Sequence, residues 1–371
     1  MKNNMKIKYL SLSISVLFFI PLLSQSAVVY NKDRNVLDLY GKLVAKEIYK
    51  EDSSHTRKEA GFGSIGFRGQ TQISDNMTGF GQWEYRAYTN AAEDGAQTTE
   101  TRLGFAGLKY QGLGSVDYGY NNGILYDVGS LTDMAPSWSA MTWTGSYNEN
   151  FMNSRSQGVL TFRSKDLLGY VDGLSLGVQL QGKNETSSVY TSNGKGIGYS
   201  LGYEVSNGIK IIGAYSNSDR TSEQRDDGQG NRAESWAIGA KYDANSLYLA
   251  TIYSETRNTT RTGSTGDAGF ANKTRNMEVL VQYLFSSGLR PSLGWFQTRG
   301  YDLTPVGNFK GGEADLANYL EIGVSYNFNP NFRVYVDYYL NLLNNSSQYV
   351  REVGGINGND NMTALNMSYY F

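Results

Sequence analysis

The sequence predicts an all-β chain closed into a transmembrane antiparallel up-and-down β-barrel of about sixteen strands. Three observations carry that expectation. Polar and apolar residues alternate with period two along short segments. Connections alternate between tight turns and long polar loops, and the chain opens on an export signal.

The signal comes first. "MKNNMKIKY" carries Lys2, Lys6 and Lys8 with no acid, and an apolar run follows from Leu10 to Leu23. The run is too short, and broken by Pro21, to cross a membrane as a helix. Ser24 and Ser26 fit the small positions before a signal-peptidase cut. Residues 1–26 are therefore expected to be removed, leaving residues 27–371 as the barrel. Cleavage takes away three lysines and no acid, which leaves 30 basic against 35 acidic residues and a net charge of −5. That balance argues against a nucleic-acid partner. The chain has no cysteine, so an exported protein must hold together without disulfides.

Strands follow from the alternation. In "SLYLATIYSE", Leu247, Leu249, Thr251 and Tyr253 share one face. In "FRVYVDYYL", Phe332, Val334, Val336, Tyr338 and Leu340 alternate with Arg333, Tyr335, Asp337 and Tyr339. The terminal "MTALNMSYYF" repeats the pattern, and helical spacing is sustained nowhere. Short turns such as 74–77, 206–208, 243–245 and 327–331 alternate with long loops at 219–232, 257–273 and 345–361. Tyr and Phe gather near segment ends, where interfacial girdles of a membrane barrel would lie.

Several apparent signals fail on their context. "GFGSIG" at 61–66 has dinucleotide-site spacing, but a strand pattern follows it where a helix is needed. The one histidine, His55, sits among charges with Ser53 and Ser54, and nothing there positions a nucleophile. One histidine and no cysteine also make a zinc site improbable. The acidic stretches 225–230 and 357–360 lack EF-hand spacing. The residues imply no enzyme, no metal and no cofactor.

A channel's chemistry lies on its inward residues and on anything folded into the lumen. Arg102 stands among small residues in "TRLGFAGLKY", Lys42 follows Gly41, and Arg155 precedes a strand. One insert, about 121–155, is too long to be a mere turn. Within it, "LTDMAPSWSAMTW" gathers a proline, two tryptophans and two methionines around a single carboxylate, Asp133.

At this point the chain resembles a known family, the trimeric general diffusion porins of enteric Gram-negative outer membranes, of the osmoporin or matrix-porin type. The resemblance runs through "VYNKDRNVLDLYGK" 29–42, "TGFGQWEYR" 78–86, "TRLGFAGLKY" 101–110, "LLGYVDGLSLGVQLQGKN" 167–184, "SGLRPSLG" 287–294 and the terminal "YYF". It implies a third loop folded into the barrel, whose carboxylates face a ladder of basic wall residues. Asp133 matches the loop aspartate and Pro136 the proline of a Pro-Glu-Phe-Gly-Gly signature. Lys42, Arg102 and Arg155 match wall cations. Two positions depart: Ser137, followed by Trp138, Ser139 and Ala140, replaces the signature glutamate and its successors, and Ser64 replaces a wall arginine. Fewer charges at the constriction lead to the expectation of a weakened cation preference, with Glu47, Asp117 or Asp127 as possible offsets.

The resemblance also implies a homotrimer with Glu93 or Asp94 latching a neighbouring subunit. It implies Lys32 pairing with the carboxylate of Phe371, and a terminal Phe read by the barrel assembly machinery. Lipopolysaccharide and outer-membrane lipid are the expected surroundings, and small hydrophilic solutes the expected cargo. The second functional reading is a sugar-preferring channel in which Trp138 and Trp143 stack on the solute.

Overall fold

Alternation gives each strand two chemically different faces. Along Leu247–Arg257, Tyr248, Ala250, Ile252, Ser254 and Thr256 are buried inward, while Leu249 and Thr251 are exposed outward. The same parity leaves Leu201, Ile211, Ile238, Val281, Leu293, Val336 and Leu365 on the outer surface. An outward apolar band is what a bilayer buries, because every backbone group of a closed sheet is already paired.

The computed structural model describes residues 27–51, 57–144, 150–205, 207–263 and 269–371. The expected signal segment and His55, Ser53 and Ser54 lie outside the described residues. The strands are β1 (Ala27–Lys32), β2 (Asn35–Lys50), β3 (Arg57–Glu59), β4 (Phe62–Ser74), β5 (Met77–Tyr88) and β6 (Thr99–Tyr110). Next come β7 (Gly114–Asn122), β8 (Arg155–Ser164), β9 (Leu174–Gln181), β10 (Gly196–Val205), β11 (Ile209–Asp219) and β12 (Arg232–Ala244). The last six are β13 (Leu247–Arg257), β14 (Lys273–Tyr283), β15 (Leu289–Leu303), β16 (Gly312–Asn329), β17 (Phe332–Asn341) and β18 (Met362–Tyr370). "GFGSIG" runs into β4 and on along a strand, so no helix receives a phosphate there.

Every pairing is antiparallel, and the sheet closes. β1 and β18 lie end to end along the same edge of β2, and β3 and β4 lie end to end along its other edge. Those two composites bring the wall to sixteen staves, the expected number. At the seam, Gly41 N–H donates to Phe371 O at 2.9 Å and Phe371 N–H donates to Gly41 O at 3.1 Å. Gly41 is required here, because a Cβ would strike the Phe371 ring and the Ser64 carbonyl.

The main apolar cluster lies inside the barrel, between the wall and the loop connecting β7 to β8. That loop opens with a short helix, α1 (Tyr126–Gly129), packed against β11 and β12. Ile124, Leu125, Val128, Leu131 and Trp138 of the loop meet Ile212, Ile252, Leu280 and Tyr339 of the wall. Tyr319 stacks between Phe296 at 5.0 Å and Tyr339 at 4.3 Å, forming a flat aromatic platform under the loop. A loop seated on such a surface has fixed backbone, so its polar groups can be aimed.

Candidate constriction of the lumen

The loop tip is held by carboxylates of the wall. The backbone N–H groups of Ser137 and Trp138 both donate to Glu321 Oε1 on β16, at 3.0 and 3.2 Å. Ser137 Oγ donates to Asp337 Oδ2 on β17 at 2.5 Å, and Asn366 Nδ2 on β18 donates to Ser137 Oγ at 3.2 Å. Lys46 on β2 donates to the Ser137 carbonyl at 3.4 Å and lies 5.5 Å above the Trp138 ring. Tyr319 OH closes the set on the Trp138 carbonyl at 2.8 Å. A hydrogen bond in a folded protein contributes about 0.5–1.5 kcal/mol net, and several converge here, so this tip is firmly tied. Beyond it, Ala140 takes a φ of 51°, a left-handed conformation that glycine adopts more easily.

The loop's middle is tied to the neighbouring strands β13 and β14 of the wall. Glu278 on β14 accepts hydrogen bonds from the hydroxyls of Thr132 and Thr142. Tyr248 OH donates to Leu131 O at 2.5 Å, and Gln282 Nε2 donates to Met134 O at 2.9 Å. Between these anchors stands Asp133. It accepts from Ser139 Oγ at 2.6 Å and from the hydroxyl of Tyr126 on α1. Burial pushes the Tyr126 phenol well above its ordinary value, and the neighbouring Asp133 adds to this, so Tyr126 remains a donor.

The wall facing Asp133 is a mosaic of charges. Lys42, Ser64 and Arg86 are cross-strand partners on β2, β4 and β5, one inward row. The charges acting on Lys42 are Arg86, Arg102, Glu84 and Asp133. Arg102 on β6 binds Glu84 at 2.7 Å and Glu100 at 3.4 Å. Arg86 binds Glu100 at 3.2 Å. Glu84 also accepts from Tyr40 OH at 3.0 Å. Arg155, the first residue of β8, acts with Arg102 on Tyr126, the donor to Asp133.

Of the residues singled out in the sequence, the structure groups Asp133, Lys42, Arg102 and Arg155, and places Pro136, Ser137 and Trp138 on the tip. Ser64 lies on the same wall. Four expectations need correction. Lys32 stands opposite Asn35 while Phe371 stands beside Gly41, six residues further along β2, about 20 Å away at strand spacing. No lysine spans that gap, and the residue whose register approaches Phe371 is Ala27, opposite Leu39. Trp138 and Trp143 are buried, 3% and 0% exposed, so neither offers a face to a sugar. Wall carboxylates already neutralise Arg102, so three cations do not face one anion. The suggested offsets sit elsewhere: Glu47 pairs with Arg57, Asp127 pairs with Arg163 at 2.5 Å, and Asp117 accepts from Asn121 at 2.8 Å. Sequence reasoning passed over Arg86, Glu84, Glu100, Lys46, Glu278, Glu321 and Asp337. Parity alone marks Glu84 and Arg86 as inward, since Trp83 and Tyr85 between them stack on the outside.

A profile described as Gram-negative porin matches residues 32–371. The chain belongs to the Gram-negative porin family. It is 48% identical over 356 residues to outer membrane porin F of Salmonella typhimurium strain LT2, covering 94% of this chain and 95% of that one. It is 46% identical over 350 residues to outer membrane porin PhoE of Escherichia coli K12, with 94% and 95% covered. The solved structure of Salmonella typhi OmpF with daunomycin superposes with a TM-score of 0.85 at 47% identity, covering 93% of this chain and all of that one. An anion-selective porin from Comamonas acidovorans shares the fold at a TM-score of 0.65 and 14% identity. This porin is an outer-membrane diffusion channel. Members of its family are channels.

Proposed function

We propose that this porin filters ions and small hydrophilic solutes at a charged constriction between the β7–β8 loop and the wall. The loop contributes Asp133, Pro136, Ser137 and Trp138, and the wall contributes Lys42, Ser64, Arg102 and Arg155. It works as a channel and catalyses nothing. The observation that carries the reading is the placing of Asp133 in the field of Lys42, with Arg102 and Arg155 acting on its donor Tyr126. Opposed charges across a narrow aqueous path orient dipolar solutes and water and give apolar ones no gain.

Ser137 supplies a hydroxyl where the family signature has a carboxylate, so the cation preference is weak. A reversal potential in a KCl gradient tests both points. Asp133→Asn shifts it towards anions by roughly fivefold in permeability ratio, since one unit charge about 8 Å away in water-like dielectric weights cation and anion about twofold each and in opposite senses. An unchanged value removes Asp133 from the constriction.

The porin assembles as a homotrimer, with Glu93 or Asp94 in the exposed β5–β6 loop reaching a neighbouring subunit. Supporting this, six glycines, Gly41, Gly63, Gly69, Gly79, Gly81 and Gly104, stand on the outer faces of β2 and β4–β6 beside that loop, among the exposed side chains of Leu43, Ile65, Phe67 and Trp83. Three equal closing steps per insertion in a planar bilayer check the trimer. The signal directs export and is cleaved after residue 26, the barrel assembly machinery reads Phe371, and lipopolysaccharide surrounds the mature barrel.

A further inference from the structure

The row Lys42, Ser64, Arg86 raises a question of charge. The middle position is a serine, yet the row is not short of a guanidinium. Arg86 Nε lies 3.5 Å from Ser64 Oγ, so its head group leans across the strand pair towards the space above the serine. It has a seat there. The guanidinium lies 4.1 Å from the Phe62 ring centre, with Lys42 Nζ on the same ring at 5.4 Å. The Tyr88 ring is 5.9 Å away, and Glu100 binds it at 3.2 Å. Tyr88 OH in turn donates to Glu100 at 3.3 Å, which fixes that carboxylate.

We propose that Arg86 is a selectivity-setting cation of the constriction, displaced by one strand and seated over Ser64. Three cations this close repel one another, and Lys42, Arg86 and Arg102 lie in each other's field. A fold gains nothing from such crowding on its own account. Phe62 offsets part of the cost through its ring face, and Glu84 and Glu100 offset more. Ser64 takes part by being small: a longer side chain at that inward position would occupy the space into which Arg86 leans. Serine and arginine therefore act as a pair, and the serine alone does not measure the charge of this wall.

The inference rests on the constriction reading above, and its test separates the two. Full-length protein is inserted in planar bilayers, and reversal potentials are measured in a KCl gradient at low ionic strength, where screening is least. Arg86→Gln raises the cation-to-anion permeability ratio by roughly fivefold, since one unit charge at about 8 Å in water-like dielectric weights cation and anion about twofold each and in opposite senses. Arg86→Lys keeps the native ratio. Arg86→Gln combined with Ser64→Arg returns it towards native, since the charge is moved back and not lost. Heat-resistant oligomer on gels confirms that each variant has folded. An unchanged ratio in Arg86→Gln, with a shift in Lys42→Gln, overturns the role of Arg86 and leaves the constriction standing. No shift in either variant overturns both.

Discussion

Ser137 Oγ donates to Asp337 Oδ2 at 2.5 Å, and the other oxygen of that carboxylate has no hydrogen-bond partner among the described residues. A hydroxyl at this place satisfies a wall acid that a loop carboxylate would repel. Ser137→Ala removes that donor and costs the tip about 1–3 kcal/mol, the penalty of an acceptor left unsatisfied away from water. The expected outcome is a channel of near-native selectivity with more frequent spontaneous closures in bilayer recordings. Ser137→Glu does the opposite to charge: it sets a third carboxylate beside Asp337 and Glu321 and moves the reversal potential towards cations. A strongly cationic native channel that Ser137→Glu leaves unmoved would contradict the weak preference argued for this pore.

Ala140 stands three residues along the same tip with a φ of 51°. An L residue in the left-handed region costs roughly 1–2 kcal/mol relative to the right-handed one, and glycine avoids the penalty. The family signature has glycine at this place. Ala140→Gly should therefore steady the tip and lower the closure rate without changing ion selectivity, because no charge moves. Equal or faster closure in the variant would mean that the tip does not limit gating noise.

The two anchors of the loop differ in chemistry. At Glu278 a wholly buried carboxyl accepts from donors of the loop, the hydroxyls of Thr132 and Thr142 among them. Glu278→Leu replaces a polar group by an apolar one among Leu131, Ile252 and Leu280, which the wall itself should tolerate. The two threonine hydroxyls are what lose, at about 1–3 kcal/mol each. A barrel with native heat resistance but a loop newly open to protease is expected. Loss of the folded barrel in both Glu278→Leu and Glu278→Gln would instead make this carboxyl part of the wall's own stability.

Much of this architecture was legible in residue order. Period two, turn rhythm and the long insert define a barrel with one oversized loop, and β13 buries the face its alternation requires. Resemblance then marked Asp133, Lys42, Arg102 and Arg155. What remained hidden depends on register. Glu84 and Arg86 become neighbours of Arg102, and Glu100 the partner of Arg86, only once β5 is paired to β6 with a one-residue irregularity after Glu84. Glu278, Glu321 and Asp337 lie more than 130 residues from the loop they hold. Lys32 misled for the same reason: a lysine near the N-terminus looks close to the C-terminus until the β1–β2 hairpin carries it to the far end of the strand.

The seam gives the last prediction. Phe371 makes two backbone hydrogen bonds with Gly41, and its ring lies over the glycine's missing side chain. Gly41→Val sets branched carbons where the ring and the Ser64 carbonyl already are, and β2, β4 and β18 cannot all keep their places. Overfilling of a packed site typically costs about 1–3 kcal/mol, and here the clash involves backbone, so the upper end is expected. Deleting Phe371 removes the ring and both hydrogen bonds but leaves β18 paired to β2 at nine positions from Met362 to Tyr370. The two changes should therefore separate on refolding into detergent. Gly41→Val lowers the unfolding temperature of barrel that does form, whereas the truncation folds in vitro and fails mainly during delivery to the membrane in cells. Equal loss of folding in detergent for both would place the terminal residue's role in barrel closure and not in recognition.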